Sequence, residues 1–305
     1  MMTTRCHHSM TKFAGLRGLL QVDEPMSRHC SWRAGGLAAL YFQPADRADV
    51  SHFLQQIDPQ MPVYWVGLGS NLLVRDGGFD GAVINTRRLN SIVQSGSEQV
   101  LVEAGVSAAK VARFTADRAL GGVEFLAGIP GTMGGALAMN AGAFGAETWS
   151  FVEVVETVGS DGHCHWRMTE EFSIGYRSVQ GLPGEGFLQA RLRLQPSTTD
   201  ACRERIRALL ADRAGSQPIQ QACAGSVFRN PQGDYAGRLI EAAGLKGQRC
   251  GGATVSPRHA NFIVNDHQAS AADIETLITQ VADTVAEHFG IRLQAEVKII
   301  GGASS

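Results

Sequence analysis

Apolar positions recur every three to four residues in some stretches of this chain and alternate in others, and the two periods predict its elements. Residues 46–57 place Val50, Phe53, Leu54 and Ile57 on one helical face. Ser107 is a fitting N-cap for a helix that turns Val111 and Phe114 inward. Helices are also predicted over 201–214 and over 235–243, the latter followed by Gly244 where a C-terminal glycine belongs. Ser270 with Asp273 forms a near capping box ahead of Ile274, Leu277, Ile278, Val281 and Val285, and Gly290 ends that helix. Strands are predicted at 63–66, 99–103, 152–158 and 186–194, with a turn at 160–162. A closing strand at 291–299 has Ile291, Leu293, Ala295, Val297 and Ile299 on one face and Arg292, Gln294, Glu296 and Lys298 on the other. A polar turn at 195–200 separates the last third of the chain. Helix and strand alternate only loosely, which predicts an α+β fold instead of a doubly wound sheet.

Two segments fit neither period. Residues 121–145 read GGVEFLAGIPGTMGGALAMNAGAFG, and 66–74 read VGLGSNLLV directly after an apolar run. Linkers are glycine-rich too, but they do not interleave Phe125, Leu126, Ile129, Met133, Leu137, Met139 and Phe144. Glycine costs folding entropy, so glycines among apolar residues point to backbone that must approach something closely. Two such loops in one chain suggest a large cofactor with a phosphate end. The GLGSN turn lacks the third glycine and the later acid of the Rossmann fingerprint.

Composition narrows the setting. The 305 residues suit about two domains, and 44% hydrophobic with 18% charged residues describes an ordinary globular protein. A formal net charge of -2 gives no electrostatic footprint for nucleic acid or an anionic membrane. The six cysteines form no CxxC, which speaks against structural zinc or a disulfide framework and for a reducing compartment. Cys6, His7 and His8 are read as part of an unstructured N-terminus in preference to a metal site. No signal peptide pattern and no apolar run near the roughly 18 residues of a membrane span are present, so a cytoplasmic protein is expected.

In order along the chain, WRAGG (32–36), VGLGSNLLV, GVEFLAGIPGTMGGALAMNAGAFG, GYRS (175–178), AGSVFRNP (224–231), AGRLIEAAGLKG (236–247), VSPRHANFIVN (255–265) and EVKIIG (296–301) resemble the UDP-N-acetylenolpyruvoylglucosamine reductase family. The resemblance runs from about residue 15 to 301 and implies an FAD-binding domain of the vanillyl-alcohol-oxidase type in two subdomains, 15–87 and 88–196. A C-terminal α+β substrate domain over 200–301 follows. It further implies that NADPH reduces FAD and that hydride then passes to the enolpyruvyl group of a UDP-sugar, in making precursors of the bacterial cell wall. The short stretch at 175–191 resembles the form of the family without an additional substrate-covering loop. A flavin oxidase or dehydrogenase with another substrate, or a catalytically silent flavin-binding protein, are the competing readings.

On this resemblance Gly67, Gly69, Ser70 and Asn71 form an amide-lined turn against the cofactor's pyrophosphate. Gly128, Ile129, Pro130, Gly131, Thr132 and Gly135, then Asn140 and Gly142, run along its ring and ribityl chain. Reducing an enol ether needs a cation for the substrate carboxylate and a proton donor opposite the hydride source. Arg177 in GYRS matches the family's arginine, and a planar fork suits a carboxylate. Ser226 matches its proton donor. Glu296 matches its third catalytic residue, positioned to hydrogen-bond a developing aci-carboxylate. Tyr176, Asn230 and His259 are candidate substrate contacts, with Arg213 and Arg229 as partners for the UDP phosphates. The chain departs from the family at Ser216 and at Ala222-Cys223, on the nucleotide side of the site. No metal ligands are expected.

Overall fold

A computed structural model describes residues 13–181, 183–218 and 221–303. Cys6, His7 and His8 lie outside the described residues. The chain divides into two compact units, each assembled from separated stretches of sequence. The first comprises residues 13–22, Leu40–Gly67 and Gly81–Asp212; the second comprises Asp23–Ala39, Leu68–Asp80 and residues 213–303.

Two larger sheets are built mainly from the first unit. One has the order Leu19–Pro25, Leu37–Gln43, Phe79–Asn85, Val63–Val66, and its last two strands run parallel. Helix α1, Arg47–Leu54, lays Val50, Phe53 and Leu54 against this sheet, with the Phe53 and Phe42 rings stacked 4.4 Å apart. It starts where the sequence indicates: the Asp46 side chain accepts the Asp49 N–H at 3.0 Å. Asp49 is itself 1% exposed, and its carboxylate accepts backbone N–H groups of Arg17, Gly18 and Ala45. A buried carboxylate satisfied by three amides ties the entering chain to the helix start.

The other sheet has the order Cys164–Met168, Val152–Val158, Gly186–Arg193, Gln99–Glu103, Ile92–Gln94, all antiparallel. Three of its strands are those predicted from alternation. Helix α2, Ala108–Ala116, begins at Ser107, whose side chain caps it, and buries Val111, Ala112, Thr115 and Ala116. The glycine-dense segment contains more regular structure than its composition suggests. Glu124–Gly128 forms a 3-10 turn, and Met133–Met139 forms a helix, α3. Ala136, Leu137, Ala138 and Met139 are strong helix formers that carry Gly134 and Gly135 through the first turn.

In the second unit, Arg249–Cys250, Ala253–Val255 and Ile263–Asn265 form an antiparallel sheet beside α5, Ala236–Ala242, and α6, Ala271–Phe289 (α4, Thr199–Ser216, leads in from the first unit). The capping box at Ser270 and Asp273 is present, and Ile274, Leu277, Ile278, Val281 and Val285 are buried. Trp32 is fully buried in this core, and its indole N–H donates to the Ile263 carbonyl at 2.8 Å.

The closing segment differs from the prediction. Only Lys298–Ile300 is a strand, parallel to Leu72–Val74. Leu293 and Val297 are buried as the alternation requires, but Ala295 is exposed. The segment changes partner midway. The Arg229 N–H donates to the Gln294 carbonyl and the Glu296 N–H to the Val227 carbonyl, and Lys298 then turns to Asn71. Neither partner is long enough to sustain a full ladder, so the extended run stays irregular.

Candidate active site

Within the first unit, the strand Val63–Val66 ends at Gly67, and the structure brings this glycine directly onto Thr132. A Cβ built on Gly67 would stand 2.2 Å from the Thr132 hydroxyl oxygen and 2.9 Å from its Cγ2. Asn85, 1% exposed, donates to the Gly67 carbonyl at 3.3 Å, and the Thr86 hydroxyl donates to Val66 at 3.4 Å. This pair fixes the strand exit, and sequence reasoning missed it, since Asn-Thr after an apolar strand reads as an ordinary turn. On the other side, the Gly131 carbonyl accepts from Ala108, while the Met133 and Gly134 N–H groups donate to Val106 and Ala104. The GIPGT segment is therefore held along the start of α2.

Thr132 is 2% exposed, yet its hydroxyl has no hydrogen-bond partner among the described residues. A buried polar group left unpaired costs about 1–3 kcal/mol. Gly135, one turn further on, is exposed with open space where a side chain would stand. The orphaned Thr132 hydroxyl beside Gly67, which admits no side chain, with open space at Gly135, is a cradle that fits a polar, closely apposed cofactor such as FAD.

Two small hairpins adjoin this cradle. One pairs Gly142–Ala143 with Ala146–Glu147 through Phe144 and Gly145; the other pairs Ser173–Gly175 with Ser178–Gln180 through Tyr176 and Arg177. Arg177 adopts φ +52°, a left-handed conformation that costs a side-chain-bearing residue about 1–2 kcal/mol. Its guanidinium donates to the Gly142 carbonyl at 2.6 Å and, at 3.5 Å, to that of Asn140. Tyr176 is 49% exposed, with the guanidinium 5.2 Å from its ring centre. Asn140 is fully buried, and its side chain faces the protein: it donates to Glu147 at 2.8 Å and to Gly175 at 3.1 Å, and accepts from the Trp149 N–H.

The second unit carries the remaining candidates. Gly69 has φ +63°, and a Cβ there would meet the His29 carbonyl oxygen at 2.0 Å, so this turn admits glycine alone. Ser70 follows, and Asn71 spends its amide on the Glu296 carbonyl at 3.2 Å. Ser226 and Glu296 lie on neighbouring extended segments, joined by the 2.7 Å bond from the Glu296 N–H to the Val227 carbonyl and by the Phe228–Ala295 bridge. Both are half-buried. Buried Asn261 holds the first of these segments by pairing with both the N–H and the carbonyl of Phe228. His259 is half-buried; its Nδ1 accepts the Asn261 N–H at 3.2 Å, which leaves the proton on Nε2, and burial pushes its pKa below the usual histidine value. Asn230 uses its carbonyl to accept the first N–H of α5. Arg213 donates to Gln217 at 2.7 Å, and burial lowers its pKa. Arg229 is half-buried on the segment that pairs with Gln294. Arg177 thus belongs to one unit, and Ser226, Glu296 and the nucleotide-side candidates to the other.

Comparison with known proteins matches two parts of the sequence separately and the whole chain together. Residues 38–167 match an FAD binding domain family, and residues 217–300 match the C-terminal domain of UDP-N-acetylenolpyruvoylglucosamine reductase. A reductase of that name from Methylococcus capsulatus is 56% identical over 95% of both chains. The chain belongs to the UDP-N-acetylenolpyruvoylglucosamine reductase family. A family member from Coxiella burnetii is 48% identical over 95% of this chain and 98% of its own. The crystal structure of the Thermus caldophilus reductase superposes with a TM-score of 0.80 at 32% identity, covering 93% of this chain and 99% of that one. The FAD-binding half and the reductase-specific half expected from the motifs are both present. No helix among the described residues is long and apolar enough to cross a membrane.

Proposed function

We propose that this chain reduces UDP-N-acetylglucosamine enolpyruvate to UDP-N-acetylmuramate with NADPH and bound FAD, a cytoplasmic step of peptidoglycan precursor synthesis. The observation that carries the reading is the Gly67–Thr132 cradle, with its orphaned hydroxyl, inside the FAD-binding half of a family member. When bound, FAD would supply two-electron hydride chemistry between NADPH and the enol ether.

This chain's own residues do the rest. Gly67 and Thr132, with Gly128, Ile129, Pro130, Gly131 and Gly135, would hold the cofactor; Gly69 and Ser70 would offer amides to its pyrophosphate. Arg177 receives the substrate carboxylate in a two-pronged hydrogen bond and so favours charge arriving on it. Ser226 delivers the proton to the carbon next to that carboxylate. A serine hydroxyl is a weak acid, adequate only toward a strongly basic carbon, which hydride addition creates. Glu296 hydrogen-bonds the carboxylate as its negative charge grows. Tyr176, Asn230, His259, Arg213 and Arg229 are the substrate-side contacts, the arginines facing phosphate. The purified protein is expected to be yellow and to consume NADPH rapidly only when the enolpyruvyl UDP-sugar is present. Colourless protein, or NADPH consumption indifferent to that sugar, overturns the reading.

A further inference from the structure

Arg177 occupies an unfavourable backbone conformation at the tip of a two-residue turn, and such strain persists only where surrounding contacts over-determine it. Several of the contacts around this turn meet at one residue. Asn140 closes α3 in a left-handed conformation of its own, φ +43°. Its Nδ2 donates to Gly175, the last strand residue before the Tyr176–Arg177 turn, and to Glu147, the last residue of the facing hairpin. Its Oδ1 accepts from Trp149, which anchors the chain beyond that hairpin. Its backbone carbonyl accepts from the Arg177 guanidinium, and the next carbonyl but one, Gly142, takes the shorter bond. One fully buried amide therefore spans both hairpins, and the same residue's main chain receives the arginine between them. A residue placed only to line a cofactor would turn its amide outward; this one has both side-chain N–H groups committed inward.

Resting on the role given to Arg177 above, we propose that Asn140 is the positioning residue that sets this guanidinium for the substrate carboxylate, locking the two hairpins into one register. Asn140 acts through Arg177 and touches neither cofactor nor substrate with its side chain. Its loss displaces the arginine while leaving the Gly67–Thr132 cradle in place, and displacement of a substrate-orienting group by about 1 Å costs on the order of 10²-fold in rate.

The test uses FAD-loaded protein and follows the two half-reactions separately by rapid mixing, in Asn140→Gly, Arg177→Lys and the double variant. Glycine keeps the left-handed backbone and removes the whole side chain, amide and methylene together. We expect Asn140→Gly to retain flavin and to be bleached by NADPH within about twofold of the parent rate, while reoxidation by the enolpyruvyl UDP-sugar slows on the order of 10²-fold. The double variant should be no slower than Arg177→Lys alone, because the arginine no longer has a position to lose. Loss of flavin, equal slowing of both half-reactions, or multiplicative effects in the double variant overturns the proposal. If Arg177→Lys slows reoxidation and Asn140→Gly does not, the proposal falls while the reading of Arg177 stands. If Arg177→Lys leaves reoxidation unchanged, the reading of Arg177 falls and takes the proposal with it. Should Asn140→Gly fail to fold, Glu147→Ala releases one of the same anchors; it should slow reoxidation selectively, and unaltered reoxidation overturns the proposal.

Discussion

Replacing Gly67 with alanine asks for a methyl carbon 2.2 Å from the Thr132 oxygen, 2.9 Å from its Cγ2 and 3.1 Å from its Cβ. The first two separations are shorter than any real contact, so either the threonine rotates or the strand exit withdraws. Rotation is resisted because Thr132 is 2% exposed, and withdrawal strains the Asn85 bond to the Gly67 carbonyl. Overpacking of this kind costs typically about 1–3 kcal/mol. If most of that cost falls on the cofactor-binding form, FAD affinity drops roughly five- to a hundredfold, at about 1.4 kcal/mol per factor of ten. Thr132→Ala removes the two atoms responsible and leaves a 3.1 Å contact to Cβ, which a few tenths of an ångström relieve. Gly67→Ala should therefore be far milder in the Thr132→Ala background, with a coupling of at least about 1 kcal/mol. Flavin dissociation constants for the four proteins, from fluorescence titration, close the cycle. Effects that add to within about 0.5 kcal/mol would show that the two residues do not share a cradle.

Three further outcomes are expected. Ser226→Ala should slow reoxidation of the reduced flavin by the UDP-sugar by about 10²–10⁴-fold while NADPH still bleaches it, and equal loss of both steps would make this serine structural. Glu296→Gln should cut turnover strongly with FAD retained; colourless protein would assign it to folding instead. His259 is held neutral by burial, with its folded pKa below the unfolded value near 6.5. The unfolded chain thus binds the extra proton first, and stability contributed by this site falls as pH drops through 6.5 toward the folded value. Urea melts between pH 7.5 and 5.5 should show a shallower loss for His259→Gln, and identical slopes would refute the assignment.

What the sequence disclosed and what it withheld divide by range. Ser107 and the Ser270–Asp273 box are read correctly because a cap is satisfied within its own first turn. The strands at 63–66, 99–103 and 152–158 announce themselves by side chains packed on a local face. Leu72–Val74 and Lys298–Ile300 are three-residue strands that exist only because each finds the other across more than 220 positions, and neither has a period to detect. The closing segment shows the same limit in reverse, since clean alternation was present but its pairing partner changes at Glu296. At the site, the glycine loops pointed to a close approach, but not to Thr132 as the group approached. Asn140 is legible only as part of the glycine-rich run expected along the cofactor; the inward turn of its amide has no local signal, and Asn85 after an apolar strand looks like any turn residue.

Trp32 sits some 180 residues ahead of the segment that matches the family's C-terminal domain, yet its indole fills that domain's interior and its carbonyl accepts from Asn265. A gene fragment cut at the apparent border would carry an indole-shaped void and a dangling amide. Shuffling between relatives therefore has to exchange the WRAGG stretch together with the distant tail, and chimeras that divide them inherit mismatched halves of one interior.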